Sequence, residues 1–248
     1  MIDRSTCESN DRMRISVVRE VEVLKHIRHP SIVRLMTTFT TLLYTNLVLE
    51  YAPGGELFEF LAIQHFRFTE GLVKRMFAEL VDVIGWMHSI SLVHRDIKLE
   101  NILLSQQLLD GSSLLTTSDL PTPFLKISDF GLSRFIDAAS PVLETRCGSE
   151  EYAAPELILG RRYDARKTDA WALGVVLFAL VTGSMPFIPD ESGRRVYLLK
   201  IAKADYSWSA AERSEAGVRL LSPGVQEVVG KLLVRDPDKR TGVMPIVG

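Results

Sequence analysis

The 248-residue chain is long enough for one large domain or two small lobes, and 46% hydrophobic residues set it apart from disordered chains. A formal net charge of −2 argues against a general binder of nucleic acid or of anionic membranes. Only two cysteines, Cys7 and Cys147, stand far apart, which excludes a disulfide framework and a zinc site and suits a reducing compartment.

The start, Met1-Ile2-Asp3-Arg4, has no apolar signal core. Asp11 to Arg28 reads as a helix, with Val17, Glu20, Leu24 and Ile27 on one stripe. A carboxylate in that stripe leaves two readings open. Glu20 lies at the edge in water, or it is buried and needs a cationic partner. His29-Pro30 breaks the helix, and Ile32 to Thr38 and Asn46 to Glu50 read as an antiparallel strand pair rich in β-branched residues. Tyr51 to Gly55 is a turn, broken by Pro53-Gly54-Gly55. Glu56 to His65 is a short helix. Glu70 to Ser89 is a longer one, with Leu72, Met76, Leu80, Ile84 and Met87 on one face.

The polar run His94-Arg95-Asp96-Ile97-Lys98-Leu99-Glu100-Asn101 follows, held between apolar Val81–Val93 and the short strand Ile102–Leu104. Ser105 to Phe124 is polar and rich in Ser, Thr, Leu and Pro, and reads as a surface insertion, since long loops cost little extra closure entropy. It is either a loop without function or a phosphorylated regulatory one. Lys126 to Ser128 is a strand leading to Asp129-Phe130-Gly131, and Ala154-Pro155-Glu156 lies further on. Lys167 to Thr182 is a largely apolar helix. Its apolar run from Ala170 to Val181, 12 residues, is too short to span a bilayer and reads as core. A helix near Arg194 to Ala204, Val225 to Val234, and Asp236-Pro237-Asp238-Lys239-Arg240 complete the chain, which has no internal repeat.

The three polar motifs, in this order, resemble those of the eukaryotic protein kinases: H-R-D-x-x-x-x-N, D-F-G and A-P-E. The resemblance covers nearly the whole chain and implies an α+β, bilobal fold. Residues 1–50 form a partial small lobe, 51–55 a hinge, and 56–248 a mainly helical large lobe. It implies a serine/threonine kinase that uses ATP and Mg²⁺, with Asp96 taking the substrate hydroxyl proton, Lys98 at the γ-phosphate, and Asn101 and Asp129 holding the metal. Lys98 two residues past the aspartate is the serine/threonine pattern. Leu49 would be the gatekeeper, Glu50, Tyr51 and Ala52 the adenine-binding backbone, and Leu103 the support below adenine. Glu56 joins this wall, and Glu20 would pair with a strand lysine. Leu24, Leu35, Phe130 and His94 match the regulatory spine. Asp169 would bond the catalytic-loop backbone, and Arg240 would pair with Glu156.

The pattern around Cys147-Gly148 resembles the calcium/calmodulin-dependent and AMP-activated kinase group, whose phosphothreonine falls at Thr145. Arg95 would receive that phosphate, placed by an upstream activating kinase; the alternative is an unmodified loop threonine. Ser149 matches the residue that bonds the catalytic Asp and Lys. Glu150 departs from the proline common there. Glu56 and Glu100 stand where kinases that prefer basic substrates read arginine upstream of the target, or are ordinary surface charges. No Gly-rich loop and no V-A-I-K-type lysine precede the first helix. The resemblance therefore predicts a truncated start, with the lysine immediately before Met1, and weak ATP binding by the chain as bounded here.

Three functions are compatible: a protein kinase, a non-catalytic module that holds partners, and a small-molecule kinase. The A-P-E segment and Ser149, which build a peptide platform, weigh against the third. The expected setting is cytoplasmic, with the nucleus as a second compartment, and without nucleic acid or a membrane span.

Overall fold

The computed structural model describes residues 2–3, 10–107, 120–137, 139–189, 191, 193–212 and 215–244. Cys7 and the middle of the Ser105–Phe124 insertion lie outside them. Strand β1 (Ile2–Asp3) is followed by helix α1 (Asp11–His26). Asn10 starts α1, its side-chain oxygen accepting from the Arg12 and Met13 N–H groups at 3.1 and 3.2 Å. The helix stops at His26 rather than Arg28. Ile27 turns extended, and Arg28 reaches back to the carbonyls of Leu24 and Ile27 at 2.8 and 2.9 Å.

Strands β2 (Leu35–Thr40) and β3 (Tyr44–Leu49) form an antiparallel hairpin, and β1 pairs with the other side of β3. The hairpin starts later than Ile32 because Ile32 and Val33 belong to a different pairing. The Val33 N–H donates to the Ile127 carbonyl at 2.9 Å, and the Ile127 N–H to the Ser31 carbonyl at 2.8 Å. This short splice ties the sheet lobe to the helical lobe by backbone.

A second splice lies at the turn after β3. The Gly54 N–H donates to the Leu104 carbonyl at 3.0 Å, and the Leu104 N–H to the Gly55 carbonyl at 2.9 Å. Any side chain at Gly54 would put its Cβ 2.3 Å from the Gln106 carbonyl oxygen, so the close approach requires glycine.

Helix α2 (Leu57–Gln64) runs into a 3₁₀ turn at His65–Arg67, and α3 (Glu70–Ser89) begins on Thr69, whose hydroxyl accepts from the Leu72 N–H at 3.2 Å. The whole expected apolar face of α3 is buried. Four short strands frame the middle of the chain. Strand β4 (Leu92–Val93) pairs with β7 (Arg134–Phe135), and β5 (Ile102–Leu104) with β6 (Leu125–Ile127). Beyond them, β8 (Val142–Leu143) pairs with β9 (Tyr163–Asp164) across α4 (Pro155–Ile158).

Helix α5 (Ala165–Thr182) is apolar on all sides because the large lobe is built around it. Helix α6 (Arg194–Lys203) packs on α4, while α7 (Ser209–Glu212), α8 (Glu215–Leu220) and α9 (Pro223–Leu232) pack on α5. The short α7 and α8 carry no periodic signal of their own. They are organised by Tyr206 and Trp208, whose rings pack on Phe178 of α5. One buried cluster runs from Leu24 and Leu35 through Phe130 and Ile127 to the α5 core. Among the described residues no helix is long and apolar enough to cross a membrane.

The C-terminal arginine expected to pair with Glu156 is 1% exposed and does so. Arg240 meets both Glu156 oxygens at 2.7 and 3.0 Å, donates to the Lys167 and Val234 carbonyls, and stacks 5.0 Å over Trp171. Removing one member of a buried pair strands the other charge, at a cost of about 3–5 kcal/mol. Arg240→Ala should therefore lower the melting temperature by roughly 6–20 °C. A melt within about 2 °C of the parent would show that the pair is dispensable.

Candidate active site

The polar run lies between β4 and β5, and α5 fixes its shape from below. Buried Asp169 accepts from the backbone N–H groups of His94 at 3.0 Å and Arg95 at 2.9 Å. Its Oδ2 also meets His88 Nε2 at 3.0 Å. These bonds hold Arg95 at φ 73°, in the left-handed region that side-chain-bearing residues seldom occupy. His94 is fully buried, edge-on to Phe130 with ring centroids 5.0 Å apart. Its Nε2 lies 3.2 Å from the Ser128 carbonyl and its Nδ1 3.4 Å from the Asp96 N–H. Together these contacts select the tautomer with the proton on Nε2.

Asp96 emerges next with its carboxylate fully engaged. Oδ1 accepts from the Ser149 N–H at 2.9 Å and the Ser149 hydroxyl at 3.1 Å. Oδ2 accepts from Asn101 Nδ2 at 3.2 Å and lies 3.0 Å from Lys98 Nζ. Lys98 also donates to Ser149 Oγ at 3.1 Å, and Asn101 to the Asp96 carbonyl at 2.9 Å. The expected group Asp96, Lys98, Asn101 and Ser149 is thus one network. Burial works to lower the Lys98 pKa, but the bond and charge of Asp96, with Glu100 and Asp129 behind it, raise it above the usual lysine value.

Asp129 sits past β6 at φ 59°, its Oδ1 accepting from the Gly131 N–H at 3.2 Å, with Phe130 buried behind it. Glu20 faces it from α1. Burial, and then the neighbouring Asp129 charge, push the Glu20 carboxyl up to about 7, against the pull of the Phe130 N–H. Glu20 is half-buried, between the two readings, and among the described residues no cation pairs with it.

The residues expected to line a nucleotide site lie at the junction of β3, the following turn and β5. Half-buried Leu49 packs on the core, and an antiparallel bridge joins Glu56 to Leu103, which is also half-buried. The Glu50 N–H donates to the Arg34 carbonyl, and the Ala52 carbonyl accepts from Gly55, so neither of these backbone groups is open to a ligand. Tyr51 is exposed.

The stretch from Asp129 to Glu156, which by the family resemblance is the activation segment, crosses in front. The Arg95 guanidinium donates to the Thr145 carbonyl at 3.0 Å, and the Tyr163 hydroxyl to the same oxygen at 2.7 Å, while Thr145 itself is exposed. Gly148, at φ 94°, presses against the Arg95 carbonyl, where a Cβ would come within 2.6 Å. The Glu100 carboxylate accepts from the Tyr152 hydroxyl at 3.2 Å, which in turn accepts from the Leu99 N–H. Glu56 makes no side-chain cap to α2, and its side chain is exposed.

Sequence reading missed several supports. His88 and Tyr152 act through contacts 81 and 52 residues distant, which no local pattern marks. Arg134 stands opposite Val93, two residues before Arg95, and only the strand pairing reveals it. Glu150, the departure from proline, is ion-paired with Arg194 of α6.

Comparison with known proteins agrees with this geometry. The family profile described as Protein kinase domain matches residues 2–248, and the chain belongs to that family. Its relatives are serine/threonine kinases. The chain is 36% identical over 211 residues to Serine/threonine-protein kinase ppk27 of Schizosaccharomyces pombe, covering 82% of this chain and 51% of that one. It is 34% identical over 246 residues to CBL-interacting protein kinase 8 of Oryza sativa subsp. japonica, covering 99% and 49%. With a Serine/threonine-protein kinase SIK3 homolog of Danio rerio it shares 40% over 187 residues, 75% of this chain and 14% of that protein. The chain spans about half the length of the first two of these relatives.

Asp169→Ala should leave the His94 and Arg95 amides without their acceptor, at about 1–3 kcal/mol for each unsatisfied group. Hydrogen exchange at those two amides should accelerate by roughly tenfold or more. Unchanged exchange there would refute the assignment of Asp169 as the loop's anchor.

Proposed function

We propose that the chain transfers the γ-phosphoryl group of ATP to serine or threonine hydroxyls of protein substrates. The observation that carries the reading is the Asp96 carboxylate, held on both oxygens by Ser149, Asn101 and Lys98. In this reading Asp96 orients the substrate hydroxyl and accepts its proton. Lys98, kept protonated by its surroundings, neutralises charge at the transferring group. Ser149 couples the segment that carries the peptide to Asp96.

The residues fit Mg²⁺. The Asn101 amide nitrogen is turned to Asp96, which leaves its oxygen for a ligand, and Asp129 supplies a carboxylate. Hard oxygen donors of this kind, completed by phosphate oxygens, suit that ion. Bound there, the metal would neutralise phosphate charge. Leu49, Tyr51, Leu103 and the unengaged backbone of Glu50 and Ala52 would enclose adenine.

Thr145 is proposed as the regulatory site. A phosphate on its exposed hydroxyl would stand near Arg95, which already donates to the Thr145 carbonyl, with Arg134 on the strand paired to the Val93 that precedes this loop. The setting proposed is a reducing, cytoplasmic one; Cys147 is a free thiol whose pKa burial raises. The second reading is a module that holds partners without catalysis; among the described residues Glu20 faces the Asp129 carboxylate and no cation.

Asp96→Asn should cut phosphoryl transfer to a peptide by at least ~10²-fold with an unchanged melting curve. Near-parent turnover would remove Asp96 from its role, and no transfer by the parent itself would favour the second reading. Substrate preference is a separate matter. Glu56 and Glu100 should favour peptides with arginine upstream of the target residue, and Glu100→Gln with Glu56→Gln should reduce that preference by ~10-fold. A peptide array indifferent to arginine would refute it.

A further inference from the structure

We infer that the cleft between the end of α1, the start of β2 and strand β6 binds a phosphorylated peptide, with Arg28 and Arg34 gripping the phosphate. The cleft is a cavity of about 450 Å³, within the size range of pockets that take a small ligand group. Its charged lining is three obligate cations, Arg28, Arg34 and Lys126, against one carboxylate, Glu50. That carboxylate is already occupied. Glu50 Oε1 pairs with Lys126 at 3.0 Å, and Oε2 accepts from the Arg34 N–H at 3.3 Å. Lys126 also donates to the Pro30 carbonyl at 2.8 Å. Glu50 and Lys126 therefore neutralise each other, and the two arginines remain.

Arg28 uses one terminal nitrogen on the Leu24 and Ile27 carbonyls, which offsets the negative end of α1. Among the described residues its other nitrogens make no hydrogen bond, and the Arg34 guanidinium has neither a hydrogen bond nor an ion pair. Two planar forks with open donors on one cavity suit a phosphate's several acceptor oxygens better than a single carboxylate. His29 adds no donor to the cleft: its Nδ1 accepts from the Ser31 N–H at 3.1 Å, and its Nε2 faces Asp82 at 3.8 Å.

A peptide is favoured as the carrier because Arg34 immediately precedes β2. That strand is the outermost in the order β1-β3-β2, and five of its six residues are exposed. An extended segment alongside β2 would deliver a side-chain phosphate into the cleft. The chain's net charge of −2 disfavours a nucleic acid in the same place.

The test is fluorescence anisotropy of the full chain with dye-labelled pools of short peptides, degenerate except for a central phosphoserine, serine or glutamate. The phosphoserine pool should bind ~10-fold or more tighter than the serine pool. Arg34→Ala and Arg34→Glu should abolish that difference without changing the melting curve, since the Arg34 side chain supports nothing else. Arg28→Gln should weaken it similarly, and Arg95→Ala, at the activation segment, should leave it intact. Equal binding of the pools, binding that survives Arg34→Glu, or loss on Arg95→Ala instead would overturn the proposal. Competition by inorganic phosphate at the peptide's own concentration would reduce the cleft to an ion site and overturn the peptide assignment. Capture by phosphoinositide vesicles without peptide binding would overturn it in favour of a lipid.

Discussion

The carboxylate of Asp169 gives the centre of this molecule its shape. It lies at the start of a helix that is buried on every side, so its position is set by the large-lobe core rather than by the loop it serves. An ionised carboxylate in such surroundings is tolerated only when its oxygens are satisfied. Here the acceptors meet two successive backbone N–H groups and a histidine. The loop is thereby forced through a left-handed residue, and that turn aims Asp96 outward while His94 points inward against Phe130. Core packing and active-site geometry are one arrangement here.

The two lobes are joined more by backbone than by side chains. Ser31 and Val33 extend the β6 ladder from one lobe into the other, and Gly54 and Gly55 lock the hinge to β5. Both splices fall beside Leu49, Glu50 and Leu103, so the residues proposed to line a nucleotide wall are also those that connect the halves. The buried cluster of Leu24, Leu35, Phe130 and His94 then adds apolar continuity across the same junction.

The long regular parts were legible from local pattern. Helix α3 has the expected bounds because Thr69 caps it and its apolar face has an unbroken period. The polar run was legible because few loops concentrate such residues between two apolar segments. Other features depended on contacts that sequence distance hides. The true start of β2 was lost because Ile32 and Val33 look like strand residues and are, but in a pairing with Ile127. Sequence alone extends α1 to Arg28, which has no helix-breaking character; its side chain takes the carbonyls that a further turn would have used. Tyr152, Arg134 and the Glu150–Arg194 pair became visible only when the activation segment was placed against its neighbours.

The acceptor positions of the Asp96 carboxylate are all in use. A carboxylate offers about four acceptor positions. Ser149 fills two on Oδ1, and Asn101 and Lys98 fill those on Oδ2. All four positions are taken, so on the proposed role of Asp96 an incoming hydroxyl would have to displace one of these donors. Three of the four donors sit on backbone or short side chains that are fixed at both ends. Lys98 alone has a long, partly solvent-facing stem and can swing away. Its departure would vacate one position on Oδ2 and carry a positive charge elsewhere, so on the proposed roles of Asp96 and Lys98, freeing the acceptor and supplying the cation would be a single displacement.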